Sequence, residues 1–317
     1  MKRAGIVIVT YNSAEVVGAC LAAATRQPVD VVVVDNASTD GTVSVVRQWP
    51  RVQLIANTAN RGFAAAVNQG IAALDAEFVL LLNPDDTLLT PIEPLVAACS
   101  APGVAAAAGK LVGPDGQPQS GFAIRRLPTP AALAFEALGW NRIWPGNPVN
   151  RRYRCLDRNL DEPGPVEQPA GALLMLRRDA WRRLDGLDEE FHPLWFEDVD
   201  YAKRVHDHGY LIEYVPSVTA RHTGGHSVRK LAAGCRALYW YGSLLRYTSK
   251  HFGCIDRKLI CGAVVFGLLL RMLAALLAER SLTPVAVYGK ALWLTGGFLI
   301  SGRIRDAGKL AAAGTTS

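Results

Sequence analysis

The sequence has no cysteines at the spacing of a metal site or a redox motif. Its six cysteines are scattered along 317 residues without one CxxC pair: Cys20, Cys99, Cys155, Cys235, Cys254 and Cys261. This pattern is typical of a reducing compartment, where thiols serve as small core residues. A secretory signal is also missing, because the apolar run AGIVIV after Lys2 and Arg3 is only six residues long.

Acidic residues are scarce in the last 92 residues. Residues 226–317 hold 13 Lys and Arg against 3 Asp and Glu, a net charge of +10, whereas residues 1–225 hold 21 against 25, a net of −4. The basic excess is mixed with apolar runs, which favours contact with an anionic membrane surface over contact with nucleic acid. The alternative is a basic helical domain whose charged side chains are simply solvated.

Apolar strands and helical patterns alternate in the first 110 residues. Half of the chain is hydrophobic, which allows a large core. The patterns predict strands at 5–10, 29–35, 51–55 and 77–82, and helices at 13–25, 41–48 and 63–74. Asn12 and Glu15 resemble a capping box that opens the first helix. Continuous apolar strands between helices indicate an α/β fold with a mostly parallel sheet covered by helices on both faces.

Three of these strands end in polar residues. Thr10, Tyr11 and Asn12 follow the first strand, Asp35 and Asn36 the second, and residues 83–86 the strand VLLL. In such sheets, ligands bind outside the carboxyl ends of the strands. Loops are polar in any protein, but three ends of this kind in one sheet predict a ligand site.

Two adjacent carboxylates, Asp85 and Asp86, stand at the end of the most apolar strand, where they repel each other and lose hydration. A Mg²⁺ or Mn²⁺ ion that also binds substrate phosphates would offset both costs. His222 is a candidate third ligand, although a lone His is more often structural. Asp35 can accept hydrogen bonds from a base or a ribose, and Arg61 can meet a phosphate.

The middle of the chain gives weaker signals. The stretch 125–169 is rich in Arg, Pro, Trp and Asn without periodicity, which fits a mobile loop over a site. Beyond it, the pattern predicts a strand and a helix within 170–181, a helix at 197–209 and a strand at 210–216. Glu197 and Asp198 open that helix, where acidic residues are favourable near the helix dipole. The apolar residues directly before them can instead raise a carboxylate pKa toward that of a general base.

Residues 231–301 are predicted to be helical, with apolar stretches at 259–270 and 284–300. Twelve uncharged residues span about 18 Å as a helix, less than the roughly 30 Å hydrocarbon core. Extending the first stretch to residue 278 would place Arg271 inside the bilayer at a cost of about 2.5–3.5 kcal/mol. We therefore expect helices that lie on the membrane; a hairpin that enters it and a soluble bundle are the alternatives.

Seven segments resemble, in order, those of the inverting nucleotide-sugar glycosyltransferases of family 2, which have the GT-A fold. They are TYNS (10–13), VDNASTDGT (34–42), NRGFAAAVNQG (60–70), LLNPDD (81–86), GALLMLRRDAW with GLDEEF (171–181 and 186–191), FEDVD (196–200) and HTGGHS (222–227). The resemblance implies a GT-A Rossmann-like sheet. It also implies an enzyme that moves a sugar from a nucleotide diphosphate donor to a hydroxyl group.

The resemblance assigns roles to individual residues. The nucleotide-sugar-binding set would be Thr10, Tyr11, Asn12, Asp35, Asn36, Asn60, Arg61, Gly62, Asn68 and Asn83. The family's DXD metal motif aligns with residues 83–85, so that Asn replaces its first Asp and Asp85 becomes the main carboxylate. His222 matches a position that often completes the metal or diphosphate site, and the sequence leaves open whether Asp86 contributes. Asp198 matches the catalytic base, with Glu197 beside it.

The implied reaction is a direct displacement with inversion at the anomeric carbon. Asp198 takes a proton from the acceptor hydroxyl, and a divalent metal, Mg²⁺ or Mn²⁺, stabilises the departing nucleoside diphosphate. The NPD form of the metal motif is similar to the rhamnosyltransferase branch, which uses dTDP-L-rhamnose and often a polyprenyl-diphosphate-linked sugar. This implies cell-envelope polysaccharide synthesis at the cytoplasmic face of the membrane. Because the sequence lacks the QxxRW segment of processive synthases, a single transfer is expected.

We expect three regions: a nucleotide-sugar-binding half at 1–110, an acceptor-binding and catalytic-base half at 111–227, and a membrane-associating helical region at 228–317. Alternative functions are a UDP- or GDP-sugar transferase and a catalytically inactive GT-A scaffold on the membrane. A nucleotidyltransferase is disfavoured, because TYNSAEVV stands where its Gly-rich basic loop would follow the first strand. No nucleic-acid partner is expected, and the sequence is silent on the oligomeric state.

Overall fold

A computed structural model describes residues 2–225, 230–279, 283–302 and 304. They form two compact units. The first contains the described residues of 1–127, 154–190 and 197–230, and the second those of 128–153, 191–196 and 231–317. The three functional regions stay a prediction, but residues 128–153 group with the C-terminal helices and not with the segment that precedes them.

Eleven strands are found in the described chain, all of them in the first unit. They are β1 Lys2–Thr10, β2 Asp30–Asp35, β3 Val52–Ala56, β4 Ala76–Leu82, β5 Asp86–Leu88, β6 Val104–Val112, β7 Ile124–Arg125, β8 Gly164–Val166, β9 Gln168–Pro169, β10 Leu173–Arg177 and β11 Leu211–His222. Strands β7 and β9 pair with each other in a small separate sheet.

The other nine strands form one mixed sheet with the order β3-β2-β1-β4-β10-β6-β11-β5, in which β8 also pairs with β11. Strands β1, β2, β3, β4, β6 and β11 point the same way, whereas β5, β8 and β10 run against their neighbours. The prediction of a mostly parallel sheet is therefore confirmed. The antiparallel β10 in its middle was not predicted, because an apolar run does not show the direction of a buried strand.

Twelve helices complete the described chain. They are α1 Val17–Ala24, α2 Thr42–Val46, α3 Phe63–Ala73, α4 Glu93–Ser100, α5 Pro130–Leu138, α6 Trp140–Ile143, α7 Pro148–Tyr153, α8 Arg178–Arg183, α9 Glu197–Asp207, α10 Ala233–His251, α11 Cys254–Glu279 and α12 Thr283–Ser301. Helices α5–α7 and α10–α12 belong to the second unit.

The predicted capping box of the first helix is wrong. Helix α1 begins at Val17, and no side chain caps its first turn. Asn12 lies at φ +51° in a turn, and its side-chain oxygen accepts a hydrogen bond from the backbone N–H of Thr39 at 2.8 Å. Asn tolerates this left-handed conformation better than most residues do, so the same polar side chain serves a loop in place of a helix end.

Valine and leucine strands make the core of the sheet. The side chains of Val31 to Val34 and of Val79 to Leu82 are all buried, as expected of strands covered on both faces. Helix α3 lies close to this layer at Gly70, where an added Cβ would stand 2.6 Å from the Cγ1 of Val7. This close packing fixes the position of the strands relative to α3, and it fixes the position of their polar ends as well.

The stretch 125–169, predicted as a mobile loop, contains three short helices. Helix α5 has strong end signals: the Thr129 hydroxyl accepts from the N–H of Ala132, Pro130 stands in the first turn, and Gly139 ends the helix at φ +76°. These signals are local and can be read from the sequence, whereas the stretch 125–169 shows no apolar periodicity.

The predicted C-terminal helices are confirmed in the described residues. Helix α11 is 26 residues long, and its part Cys254–Ala278 is long and apolar enough to cross a membrane by length and composition alone. The described residues contain one such helix.

Candidate functional site

The polar ends of three strands meet at one edge of the main sheet. Strands β1 and β2 end together at the paired residues Thr10 and Asp35, and the parallel β4 ends beside them at Leu82. The antiparallel β10 begins at this edge, because Leu173 pairs with Leu82. The segment that enters β10 therefore lies at the same edge as the predicted site.

Asp35 is buried and organises the loop that follows its strand. Its Oδ1 accepts hydrogen bonds from the hydroxyls of Thr10, at 2.8 Å, and Ser38, at 2.6 Å. Its Oδ2 accepts one from the backbone N–H of Ser38 at 2.9 Å. The side chain therefore holds the ends of β1 and β2 together, and Oδ2, which accepts one hydrogen bond, has a second lone pair for a ligand.

Asn36 fixes the loop before α3. Its amide nitrogen donates to Asn60 Oδ1 and to the carbonyl of Gly62, both at 3.0 Å, and its oxygen accepts from the N–H of Arg61 at 3.0 Å. Gly62 adopts φ +85° and ψ 161°, a conformation that few other residues reach. Arg61 is exposed to solvent.

The loop of Tyr11 and Asn12 is tied to the neighbouring loop and to a distant residue. The N–H of Asn12 donates to the Ser38 hydroxyl at 2.8 Å, and its carbonyl accepts from Lys230 Nζ at 2.9 Å. Tyr11, next to Asn12 in this loop, is half-buried. Thr10, Tyr11, Asn12, Asp35, Asn36, Asn60, Arg61 and Gly62 are thus joined in one connected rim.

Asn68 does not belong to this rim. Its side chain lies on α3 and exchanges hydrogen bonds with the backbone of Leu187, donating at 2.8 Å and accepting at 3.0 Å. It also donates to Glu189 Oε1 at 3.1 Å. These contacts hold the segment after α8 in place, and the predicted nucleotide-binding role of Asn68 stays a prediction.

Asp85, Asp86 and His222 come together as a candidate metal site. One ligand atom from each lies within 4.8 Å of the others. His222 Nε2 is 3.8 Å from Asp85 Oδ2, and His222 Nδ1 is 3.8 Å from Asp86 Oδ1. Strand pairing explains the juxtaposition, because Asp86 in β5 stands opposite His222 at the end of β11.

The burial and bonding of this group fit a cation. Asp86 is fully buried, and neither of its carboxylate oxygens nor His222 Nδ1 has a hydrogen-bond partner among the described residues. Burial, and then the charge of Asp85, raise the pKa of Asp86 well above its usual range. Burial lowers the pKa of His222, which favours the neutral imidazole that ligates metals. Oxygen and imidazole donors of this kind suit a divalent ion.

Asn83 completes the turn that carries these carboxylates. Its carbonyl accepts from the N–H of Asp86 at 3.1 Å and from the thiol of Cys20 at 3.3 Å. The Asn83 side chain is half-buried and has no hydrogen bond among the described residues. It is therefore available to a ligand at the mouth of the site.

Asp198 stands at the first turn of α9 with its carboxylate held by backbone. Its Oδ2 accepts from the N–H of Gly171 at 3.1 Å and its Oδ1 from the N–H of Val199 at 2.8 Å. Burial raises its pKa, while these two donors and the charge of Arg125 lower it in part. A half-buried carboxylate with a raised pKa suits a general base.

Glu197 is more deeply buried than Asp198. Its Oε2 has no hydrogen-bond partner among the described residues. Burial, and then the charge of Asp198, raise the pKa of Glu197 well above its usual range. The pair therefore favours one negative charge, and the better-solvated and better-bonded Asp198 is the carboxylate that carries it.

A short segment that sequence reasoning missed lies between these two groups. The ring of Phe122 meets His222 edge-on, with centroids 5.1 Å apart, and the Arg125 guanidinium lies 5.7 Å from the Phe122 ring centre. Ala123 accepts a hydrogen bond from the N–H of Ala170, next to the Gly171 that binds Asp198. Residues 122–125 thus connect the surroundings of the metal ligands with those of the candidate base.

The sequence of this chain is similar to those of known proteins. Residues 5–179, more than half of the chain, match the family described as Glycosyl transferase family 2. The chain belongs to this family. One relative of this family 2 glycosyltransferase is the N-acetylglucosaminyl-diphospho-decaprenol L-rhamnosyltransferase of Mycobacterium tuberculosis, 33% identical over 266 residues, which are 78% of this chain and 85% of that protein.

Solved structures agree with the fold. The mannosyltransferase PcManGT from Pyrobaculum calidifontis, in complex with GDP-Man and Mn²⁺, gives a TM-score of 0.52 at 20% identity, covering 98% of this chain and 86% of that one. GalNAc-T7 with UDP, GalNAc and Mn²⁺ gives 0.54 at 13% identity, covering 88% and 58%. At these identities the likeness concerns the fold alone, and it confirms the GT-A architecture predicted for this family 2 glycosyltransferase.

Proposed function

We propose that this glycosyltransferase moves L-rhamnose from dTDP-L-rhamnose to a hydroxyl of a polyprenyl-diphosphate-linked saccharide in cell-envelope polysaccharide synthesis. The observation that supports the reaction class is that three side chains able to ligate a metal and a carboxylate held by backbone N–H groups lie around one edge of the sheet. The printed name of the mycobacterial relative supports the donor and the lipid-linked acceptor.

In this proposal the rim around Asp35 and Asn36 binds the nucleoside. Asp35 accepts hydrogen bonds from the base or ribose, while the Gly62 backbone allows close approach and Arg61 meets a phosphate. Thr10, Tyr11, Asn12, Asn60 and Asn83 complete the pocket. Asp85, Asp86 and His222 would hold Mg²⁺ or Mn²⁺, which supplies positive charge for the leaving diphosphate.

Asp198 acts as the base in a single displacement. Its carboxylate takes the proton of the acceptor hydroxyl while that oxygen bonds to the anomeric carbon and the bond from this carbon to the diphosphate oxygen breaks. The N–H groups of Gly171 and Val199 keep the carboxylate oriented, which fixes its reach without the entropy cost of a mobile side chain. Burial, and then the charge of Asp198, raise the pKa of Glu197, which disfavours a second negative charge beside the base.

A lipid-linked acceptor also indicates where in the cell the enzyme would act. A polyprenyl chain lies in a membrane, and residues 226–317 carry a net charge of +10 among apolar helices. We propose that this region binds the anionic membrane surface on its cytoplasmic side, where nucleotide sugars are present.

The test measures transfer by the purified chain with dTDP-rhamnose, UDP-GlcNAc, UDP-galactose and GDP-mannose, each with Mg²⁺, Mn²⁺ or a chelator. A polyprenyl-diphosphate sugar is the acceptor. We expect transfer from dTDP-rhamnose, loss of transfer on chelation, and a loss of at least about a hundredfold in kcat for Asp198→Asn. Asp207→Asn is the matched control, since it removes an exposed carboxylate from the last turn of the same helix.

Other outcomes would redirect the proposal. A preference for a UDP- or GDP-sugar would keep the mechanism and change the donor. Metal-dependent nucleotide binding without transfer, equal in the wild type and in Asp198→Asn, would favour a membrane-bound scaffold.

A further inference from the structure

Helix α11 has an exposed face that contains no polar side chain from Leu259 to Ala278. The exposed positions in this range are Leu259, Gly262, Phe266, Leu269, Leu270, Leu273, Ala274, Leu277 and Ala278. The opposite face, which includes Ile260, Val264 and Leu268, is buried in the second unit. A helix on the surface of a soluble domain presents polar residues to water, so this face is built for an apolar environment.

The length of this face is close to the thickness of a bilayer, about 29 Å for twenty residues, so length alone does not separate a crossing helix from one lying flat. The contacts at the middle of α11 do distinguish the two arrangements. Gly267 packs against the C-terminal end of α5 so closely that an added Cβ would stand 2.2 Å from the carbonyl oxygen of Ala137. A crossing α11 would carry this end of α5 to the centre of the bilayer.

That end of α5 is polar. Arg271 donates to the carbonyls of Ala137 and Glu136, in the favourable position of a cation at a helix C-terminus. The Glu136 carboxylate accepts from the amide of Asn141 at 2.8 Å, and Asn141 in turn accepts from Asn147 at 3.0 Å. A network of a guanidinium, a carboxylate and amides at mid-bilayer is costly, whereas it is well placed at the level of water and headgroups.

The residues around this network are those of a membrane interface. Trp140, Ile143 and Trp144 follow α5 directly and are 43%, 75% and 53% exposed. Tryptophan favours the boundary between hydrocarbon and water. Exposed basic side chains, Arg142 near these residues and Lys258 at the start of α11, complement anionic headgroups.

We propose that α11 lies flat in one leaflet of an anionic bilayer, with its exposed apolar face in the hydrocarbon and the Arg271 network at headgroup level, and that it does not cross. This inference deepens the proposed function by naming the surface and the mode of membrane contact. It does not depend on catalysis, because none of these residues belongs to the candidate site.

The binding test uses the full chain and vesicles of phosphatidylcholine with or without added phosphatidylglycerol, read by flotation. We expect binding to the anionic vesicles. Phe266→Asn and Leu273→Asn, which change exposed side chains, should each weaken it about tenfold or more. Leu211→Asn is the matched control, since Leu211 is a comparably exposed leucine in the first unit. Equal binding by all three variants would overturn the proposal.

The topology test separates a flat helix from a crossing one. Cys254 is exposed at the start of α11, and Arg142→Cys places a thiol beside the end of α5 that packs on the middle of α11. A membrane-impermeant maleimide added outside the vesicles, with the labelled peptide identified by mass spectrometry, should reach both positions if α11 lies flat. Reaction at Cys254 but not at residue 142 until detergent dissolves the vesicles would show a crossing helix and overturn the proposal.

Two further outcomes are distinguishable. Concentration-dependent self-association without lipid, abolished by Phe266→Asn, together with no vesicle binding, would assign the face to a second copy of the chain. Asp198→Asn should bind vesicles as the wild type does. Loss of transfer with intact vesicle binding would therefore count against the proposed function, and transfer to a short-chain acceptor without vesicle binding would count against the flat helix.

Discussion

At the scale of residues, Asp86 places a carboxylate in a fully buried position with both oxygens unbonded among the described residues. Burying such a group costs stability unless a cation or donor compensates it. Natural proteins keep such a group mainly where function needs it.

Asp86→Asn should not lower the melting temperature of the metal-free protein, because it removes a buried charge that lies next to Asp85. The same change should weaken metal binding by about tenfold or more, since a charged ligand is lost. Thermal unfolding with and without Mn²⁺ measures both effects. A metal-induced rise in melting temperature that is as large in the variant as in the wild type would remove Asp86 from the ligand set.

Arg125 acts on the candidate base Asp198 through its charge. Its positive charge lowers the pKa of Asp198, which burial otherwise raises. Arg125→Gln should therefore raise that pKa further, and the base should need a higher pH to lose its proton. The acidic limb of the pH profile of kcat/KM should move to higher pH while the plateau is retained.

The neighbouring Arg126→Gln provides the control, because Arg126 is exposed and pairs with Glu167 at 3.6 Å. Its pH profile should match that of the wild type. An unmoved acidic limb in Arg125→Gln would show that the limb belongs to a group other than Asp198.

The site residues differ in how far the sequence could predict them. The structure brings Asp85, Asp86 and His222 together as the sequence suggested, and their roles stay a prediction. Gly171, Phe122 and Arg125 could not be found, because their position depends on the antiparallel entry of β10 and on the pairing of β7 with β9. Asn68 matched a motif, but a loop from a distant part of the chain uses its side chain.

At the scale of elements, helix α11 contains two glycines in different surroundings. Gly267 faces the end of α5, whereas Gly262 has no heavy atom within 4 Å of an added Cβ. Gly262→Ala should therefore raise the free energy of unfolding by about 0.5–1 kcal/mol through helix propensity. Gly267→Ala should lower it by about 1–3 kcal/mol, because the methyl group must displace a backbone carbonyl.

Chemical denaturation of the two variants in the same detergent measures this difference, and the shared substitution controls for propensity. Equal stabilisation by both changes would show that α5 does not pack closely on α11 in solution.

Strands with a continuous apolar run were predictable from the sequence, as β2 and β4 show. Helix α5 was not, since its identity depends on caps and on a partner more than a hundred residues away.

At the scale of the whole molecule, the C-terminal helices are joined to an internal segment. Residues 128–153 belong to the same unit as residues 231–317, so the change of composition at residue 227 lies close to the boundary at residue 230 but does not show that an internal segment belongs with the C-terminal helices. Composition follows the order of the chain, whereas compact units are defined by contacts, and for this reason the sequence could not reveal this part of the division.

A chain that ends at residue 230 should therefore fail as an isolated catalytic domain. Helix α5 would lose α11 and expose its buried residues Ala132, Leu133, Ala134 and Ala137. We expect it to aggregate or to melt at a lower temperature than the full chain in the same detergent, as size-exclusion chromatography and thermal unfolding would show. A monodisperse product with the melting temperature of the full chain would contradict this expectation.

The pairing of Asp86 with His222 has a consequence for biosynthesis. The two residues are neighbours across β5 and β11 but are far apart in the chain. During translation, a nascent chain holds both aspartates long before the histidine emerges, and so the proposed metal site would have no complete set of ligands until β11 has been added to the sheet. Acquisition of a metal at this site would therefore mark a late step in maturation, and a prematurely terminated polypeptide lacking β11 could not complete it.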